Sequence, residues 1–272
     1  MFALHLSCRP KDVDRLSGEL WDAGTCGVQE IDQSDQEVLV IARFETNAQR
    51  SSLLEAFRPY KPTWTAEIDT DWVRQTKESW PGRRIGSRIF LAPTWCEENT
   101  PSGRIRVVHN PGLACGTGEH PCTRLALEAL ETLITPGSSV VDVGTGSGVL
   151  AIAALHLGAT IAVGVDTDEE ALQTARENFQ LNRLAPLLMA GSVDCLATQA
   201  VDVVVANISA TVLLSFADEL LRVKKPGGSL ILTGFPVTEA ARLQQLFQSE
   251  EMRADDGWCC LISRASQMFS EV

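Results

Sequence analysis

The sequence predicts an α/β protein, with a larger region built on a parallel sheet and a smaller α+β region ahead of it. Three observations predict this. From residue 139 onward, short apolar runs alternate with helix-period segments, the pattern of strands and helices layered on both faces of a parallel sheet. Within that region, 140–148 reads as a buried strand running into three alternating glycines and a helix start. Residues 1–68 follow a different order, βαββαβ, which is that of a small ferredoxin-like domain.

The elements follow in turn. Residues 2–8 alternate like a strand, and 11–22 place Val13, Leu16, Leu20 and Trp21 on one helical face. Gly24 and Gly27 mark a turn. Strands are expected at 28–31 and 38–44, with the polar run 32–35 as the loop between them. Asn47 is placed to cap a helix that buries Leu53, Leu54 and Phe57; Pro59 and Pro62 end it, and 63–68 is strand-like. Residues 69–110 form a bridge with Trp72, Trp80 and Trp95 and a group of arginines. In the third region, 111–272, strands are expected at 139–143, 160–166, 187–189, 201–206, 229–233 and 258–262. Helices are expected at 149–157, 168–181, 209–223 and 238–248, with a turn at Pro226-Gly227-Gly228. Asp168 is placed as an N-cap, with Glu169 and Glu170 at the positive end of the helix dipole.

The composition narrows the function classes. Of 272 residues, 44% are hydrophobic and 21% charged, the balance of a globular chain. No stretch is long and apolar enough for a membrane span, and the N-terminus lacks the pattern of a signal peptide. Thirty-five acids against 23 bases give a net charge of −12. That argues against direct nucleic-acid binding and suits a basic protein partner. The bridge is the basic part: 61–110 holds eight bases and six acids, whereas 111–272 holds nine and 19. The bridge arginines are expected to neutralise nearby carboxylates; a surface that orients a ligand is the sharper alternative. Eight cysteines without a CxxC pair, beside four histidines, point to free thiols in a reducing cytoplasm and to no metal site.

The chemistry is concentrated after residue 110. The run Asp142-Val143-Gly144-Thr145-Gly146-Ser147-Gly148 lets a ligand approach the backbone and presents the N–H groups of a helix start. Read as a dinucleotide fingerprint from Gly146, it would need Ala151 as its third small residue. Asp142 favours another ligand. An anion two residues before the first glycine repels a pyrophosphate and attracts an ammonium, which points to S-adenosylmethionine. Asp166 ends the second strand of this region, 22 residues after Gly144, where a carboxylate can hold ribose hydroxyls. Asn207 ends a further strand; it either orients a substrate amine or caps the following helix. The stretch 110–123 holds Gly116, Thr117, Gly118 and His120 and is expected to form a lid over the cofactor rather than a phosphate loop. His120 as base, and Cys115 or Cys122 as nucleophile, are the weaker readings.

These segments resemble the PrmA family, the methyltransferases of large-subunit ribosomal protein eleven. The resemblance rests on Asp71-Trp72, on Asn110-Pro111-Gly112-Leu113-Ala114 with Gly116-Thr117-Gly118, and on His120 and Thr123. It continues through 142–154, Gly164-Val165-Asp166 and Val204-Val205-Ala206-Asn207-Ile208. It implies a ferredoxin-like substrate-recognition domain over 1–68, a linker over 69–110 and a Rossmann-like, seven-stranded methyltransferase domain over 111–272. It also implies S-adenosylmethionine as cofactor, with Thr123, Gly144, Asp166 and Asn207 at it or at its reaction zone; the glycine run adds Asp142, Gly146 and Gly148 as expected cofactor-binding residues, and Asn207 is the catalytic candidate. The implied activity is methyl transfer to lysine or N-terminal amino groups of a basic ribosomal protein by a cytoplasmic monomer. Cys115 departs from the family, standing where an aromatic is usual.

Overall fold

The computed structural model describes residues 2–34, 36–66, 81–110 and 120–264. The chain divides into two compact units, 1–79 and 80–272. Trp72, Trp80, the stretch 111–119 with Cys115, Gly116, Thr117 and Gly118, and the end of the chain lie outside the described residues.

In the first unit, strand β1 (Phe2–Cys8) leads through a 3-10 turn into helix α1 (Val13–Asp22). Strands β2 (Gly27–Ser34) and β3 (Glu37–Phe44) follow, then helix α2 (Arg50–Ala56) and strand β4 (Thr63–Ala66). The sheet order is β2-β3-β1-β4, with each neighbouring pair antiparallel. Leu4, Leu6, Val38, Val40 and Ala42 pack with Val13, Leu16 and Leu20 of α1, with Leu53 of α2 and with Phe57 at its C-terminal end.

Three local expectations give way here. Trp21 is 55% exposed. It lies about 100° around the helix from Leu20, off the stripe that Val13, Leu16 and Leu20 share. The polar run from Asp32 to Ser34 is strand, not loop. It belongs to the edge strand β2, where polar residues are tolerated because one side meets no neighbouring strand. Asn47 caps nothing with its side chain, since α2 starts after Gln49.

The second unit opens with a three-stranded sheet of β5 (Arg83–Ile85), β6 (Ile89–Pro93) and β7 (Ile105–His109). Ile85, Ile89, Leu91 and Val107 join one core with Leu127 and Leu130 of α3 (Pro121–Leu133). Three arginines here donate to backbone carbonyls, Arg88 to that of Leu157 at 3.4 Å. Arg104 donates to the carbonyls of Ile85, Gly86 and Ile89, and Arg106 to those of Cys96 and Glu98. Glu131 of α3 in turn accepts from the backbone N–H groups of Ser87, Arg88 and Ile89, which clamps the β5–β6 turn.

The main sheet has seven strands. They are β8 (Ser139–Val143), β9 (Ile161–Asp166), β10 (Leu188–Ala190), β11 (Val201–Asn207), β12 (Lys224–Pro236), β13 (Glu251–Asp255) and β14 (Trp258–Ser263). Their order is β10-β9-β8-β11-β12-β14-β13. The first five run parallel; β14 is antiparallel to β12, and β13 to β14. Strand alternation divides the core between the two faces. Val140, Val203, Val205, Ile231 and Ile262 pack towards α3 and α4 (Val149–Leu157). Val141, Val143, Val204, Leu230 and Leu232 pack on the other face towards α6 (Ala210–Ser215), α7 (Ala217–Val223) and α8 (Ala240–Phe247). Helix α5 (Glu169–Leu181) sets Phe179 in the first of these cores.

Some differences from expectation are local. The helix expected over 209–223 breaks at Phe216 into α6 and α7. Strand β12 starts earlier than expected and bulges through Pro226-Gly227-Gly228, where its pairing jumps from Lys224 to Ser229. Strand β13 was not expected, because its charged residues lack an apolar alternation. Its signal was the Asp256-Gly257 turn, both residues at positive φ, which is the chemistry of a two-residue hairpin. Among the described residues, no helix is long and apolar enough to cross a membrane.

Candidate active site

Strand order reverses beside β8, so the loops after β8, β9 and β11 open around one crevice at the strand C-termini. A cleft of about 940 Å³ lies there. It is lined by Gly144, Gly146, Asp166, Asn207, His120 and Thr123, by Thr145 and Ser147 of the glycine run, and by Phe216 and Trp258, which sequence reasoning had not singled out. Trp258 opens the last strand and Phe216 breaks a helix, so neither carries a local motif.

The glycine loop is held from several sides. Gly144, Gly146 and Gly148 all have φ between +52° and +79°, backbone that a side chain disfavours. The N–H groups of Gly144 and Thr145 donate to the Val165 carbonyl at 2.9 and 3.0 Å. Gly148 is not a lining residue. It is pressed against α5, where a Cβ would come within 3.1 Å of that of Ala175, so this glycine serves packing.

Asp166 supports the same loop. One carboxylate oxygen accepts from the Gly146 N–H at 2.8 Å, and the other from the Asp168 N–H at 3.1 Å. Each oxygen keeps further acceptor capacity, and the residue lines the cleft. Asp168 caps α5 as expected, accepting from Glu170 N–H at 2.9 Å.

Asp142 does not line the cleft; it lies fully buried beneath the loop. Its Oδ2 accepts from the Thr145 hydroxyl at 2.7 Å and from the Ala151 N–H at 3.1 Å. Its Oδ1 has no partner among the described residues. Burial pushes this carboxyl up to about 6, against the lowering by those two hydrogen bonds, and Asp166 nearby adds to the rise.

Asn207 sits at the end of β11, and its Nδ2 donates to Thr123 Oγ1 at 3.3 Å. Helix α6 has Ser209 at its N-cap, so Asn207 is not its cap residue. The bond to Thr123 uses the amide nitrogen and leaves Oδ1 as the acceptor at the cleft. Gly234 makes room for this strand end. With φ +99°, it passes Ile208 so closely that a Cβ would lie 2.5 Å from the Ile208 carbonyl oxygen.

His120 is the N-cap of α3, its Nδ1 accepting from Cys122 N–H at 3.3 Å. The ring meets Trp258 edge-on, with centroids 4.5 Å apart. Burial and then the Arg124 charge lower its pKa, so the ring is neutral near pH 7. With Nδ1 accepting, the ring proton sits on Nε2, and His120 presents a donor. Cys122, Cys259 and Cys260 are buried, and burial raises the last two to about 11 and about 12, which makes them inert packing thiols. Among the described residues, no group of His, Cys, Asp or Glu side chains could hold a metal ion.

A parallel sheet with this order, a glycine loop at its switch point and a strand-end carboxylate define a Rossmann-like methyltransferase. The cleft suits S-adenosylmethionine: the unpaired Ser147 Oγ lines it at a loop whose backbone is open to a ligand, and the Asp142 carboxyl lies beneath that loop.

Comparison with known proteins specifies the family. The family model described as ribosomal protein L11 methyltransferase (PrmA) matches residues 18–266. The chain is 34% identical over 280 residues to a ribosomal protein L11 methyltransferase of Azotobacter vinelandii, covering 94% of this chain and 96% of that one. It is 32% identical to another from Pseudomonas putida, covering 96% and 98% respectively. A crystal structure of a ribosomal protein L11 methylase from Lactobacillus delbrueckii subsp. bulgaricus aligns with a TM-score of 0.64 at 28% identity. That alignment covers 69% of this chain and 100% of that one. The chain belongs to the PrmA family, and it is an S-adenosylmethionine-dependent protein methyltransferase.

Proposed function

We propose that the protein methylates amino groups of ribosomal protein L11, lysine side chains or the N-terminal amine. The observation that carries the site assignment is the Asn207–Thr123 bond at the mouth of the glycine-loop cleft. S-adenosylmethionine supplies the electrophilic methyl group on its sulfonium; the chain supplies binding and orientation.

In this reading, Gly144 and Gly146 bring backbone against the cofactor and Asp166 takes its ribose hydroxyls. Asp142, from beneath the loop, favours the ammonium end by charge, and Gly148 keeps the loop packed on α5. Thr123 holds the Asn207 amide so that Oδ1 accepts an N–H of the target amine and aims its lone pair. A lysine ammonium has no free lone pair until it loses a proton, with an ordinary pKa of about 10.4. The apolar walls from Val143, Leu150, Val212, Phe216 and Trp258 disfavour the charged amine and assist that loss. His120 is a poor base in this geometry, because its free ring lone pair is already spent on Cys122 N–H.

The first unit, 1–79, is the substrate-recognition domain in this proposal; of the linker expected over 69–110, residues 81–110 belong instead to the second unit, whose core takes in Ile85, Ile89, Leu91 and Val107. Gly116, Thr117, Gly118 and His120 are the lid in this proposal. The protein acts as a cytoplasmic monomer on a basic protein, without binding nucleic acid directly; the net charge of −12 supports both the partner and the exclusion. The test is incubation with methyl-labelled S-adenosylmethionine and purified L11 or a ribosome-containing lysate. Label on L11 at amino groups is expected; label only on RNA or on other proteins would overturn the substrate assignment.

A further inference from the structure

We propose that Asn178 is a positioning residue of the cofactor site, acting through Ser147, and that the Ser147 hydroxyl is itself a cofactor contact. The inference rests on the methyltransferase reading of the cleft and adds two residues to it.

Asparagine is a poor helix former, and a buried amide is costly unless it is paired. Asn178 nevertheless sits within α5, fully buried. Its whole amide is used: Oδ1 accepts from Asn110 N–H at 2.8 Å, and Nδ2 donates to the Asn110 carbonyl at 3.0 Å and to the Ser147 carbonyl at 2.9 Å.

One turn further on, Asn182 makes a matching pair with Val108. Its Oδ1 accepts from Val108 N–H at 2.9 Å, and its Nδ2 donates to the Val108 carbonyl at 2.6 Å. Two asparagines thus dock the edge of β7 on α5 in the same way. They differ in one bond that matters for the site: Asn178 alone of the two reaches the cofactor loop.

The carbonyl it reaches belongs to a residue with an unfinished side chain. Ser147 is 1% exposed, lines the cleft, and its Oγ finds no partner among the described residues. A hydroxyl in that state costs free energy until a polar ligand atom completes it. The charged amino-acid end of S-adenosylmethionine offers such an atom. Asn178 fixes the backbone of Ser147 and thereby where this hydroxyl stands.

The test uses the full-length protein, titration calorimetry with S-adenosylhomocysteine and thermal unfolding without ligand. Ser147→Ala is expected to bind about tenfold more weakly while the free protein unfolds at no lower temperature, because the unpaired hydroxyl is gone. Asn178→Asp, which loses both donors, is expected to weaken binding at least as much. The Ser147→Ala/Asn178→Asp double variant is expected to be no weaker than Asn178→Asp alone, since the second loss has nothing left to act on. Asn182→Asp is expected to lower the unfolding temperature and leave affinity within about twofold.

Unchanged affinity in Ser147→Ala, additive losses in the double variant, or equal losses from Asn178→Asp and Asn182→Asp would each overturn the proposal. If Asn178→Asp does not fold, Asn178→Ala enters the same comparisons. Failure of the unmodified protein to bind S-adenosylhomocysteine would instead overturn the reading of the cleft.

Discussion

The two units bury their sheets differently, and the difference separates packing from chemistry. In the first, an antiparallel sheet packs its core with α1 and α2, and polar side chains pair near its surface, with Trp64 Nε1 as its one buried polar atom that lacks a partner among the described residues. His5 meets Thr65, Ser17 donates to Glu30, and Arg43 donates to Gln29. In the second, helices cover both faces of a largely parallel sheet, and polar groups are buried at the strand C-termini, where the glycine loop turns. There Asp142 carries an unpaired oxygen and a raised pKa, and Ser147 an unpaired hydroxyl. Strand ends at a switch point open onto a crevice; Ser147 lines it, so its hydroxyl stands where a ligand can finish the pairing, whereas Asp142 lies beneath the loop.

If that division is right, removing the first unit separates binding from turnover. A chain beginning at Pro81 keeps β5 and β6, whose Ile85, Ile89 and Leu91 belong to the second unit's core. It should bind S-adenosylhomocysteine normally and methylate intact ribosomal protein a hundredfold or more slowly, roughly the scale of a lost effective concentration. Equal methylation by both forms would leave the first unit as a stabilising appendage.

Next in size is Asn207→Ala. Aligning an amine matters most in the transition state, so kcat should fall by about a hundredfold while affinity for S-adenosylhomocysteine stays within a few-fold. Loss of binding with a normal single-turnover rate would make Asn207 a cofactor ligand only.

Asp166→Ala should weaken S-adenosylhomocysteine binding about tenfold or more, by loss of hydrogen bonds to a charged group. Calorimetry on a folded variant showing unchanged affinity would remove Asp166 from the site.

Asp142→Asn, the last comparison, is read in stability. With its pKa raised from 3.8 to about 6, Asp142 binds its proton more tightly folded than unfolded. Its contribution to stability therefore falls as pH rises through that window, and the full cost stands above it. Two pKa units correspond to roughly 3 kcal/mol at most. The variant should unfold several degrees higher than the unmodified protein at pH 8, with the gap closing towards pH 4. A gap independent of pH would mean that Asp142 is not the titrating group.

Much of this architecture was legible in the sequence because local periodicity expresses it. The βαββαβ order, the strand–glycine–helix passage at 140–149 and the cap at Asp168 all appear where expected. Gly144, Gly146, Asp166, Asn207, Thr123 and His120 line one cleft because strand ends and helix starts are set by such local patterns. Other features depended on neighbours distant in the chain. Trp258 reaches the cleft from the far end of the sequence, and Asp142 lies beneath the loop rather than in it. Asn178 read as an ordinary helix residue until Asn110 and Ser147 were found against it. Sequence by itself determined which segments become strands and helices and which loops can bend around a ligand, since these depend on residues near in the chain. The tertiary structure alone decided which buried polar groups are paired and which remain open, because a hydrogen bond 68 residues away leaves no mark on the local pattern.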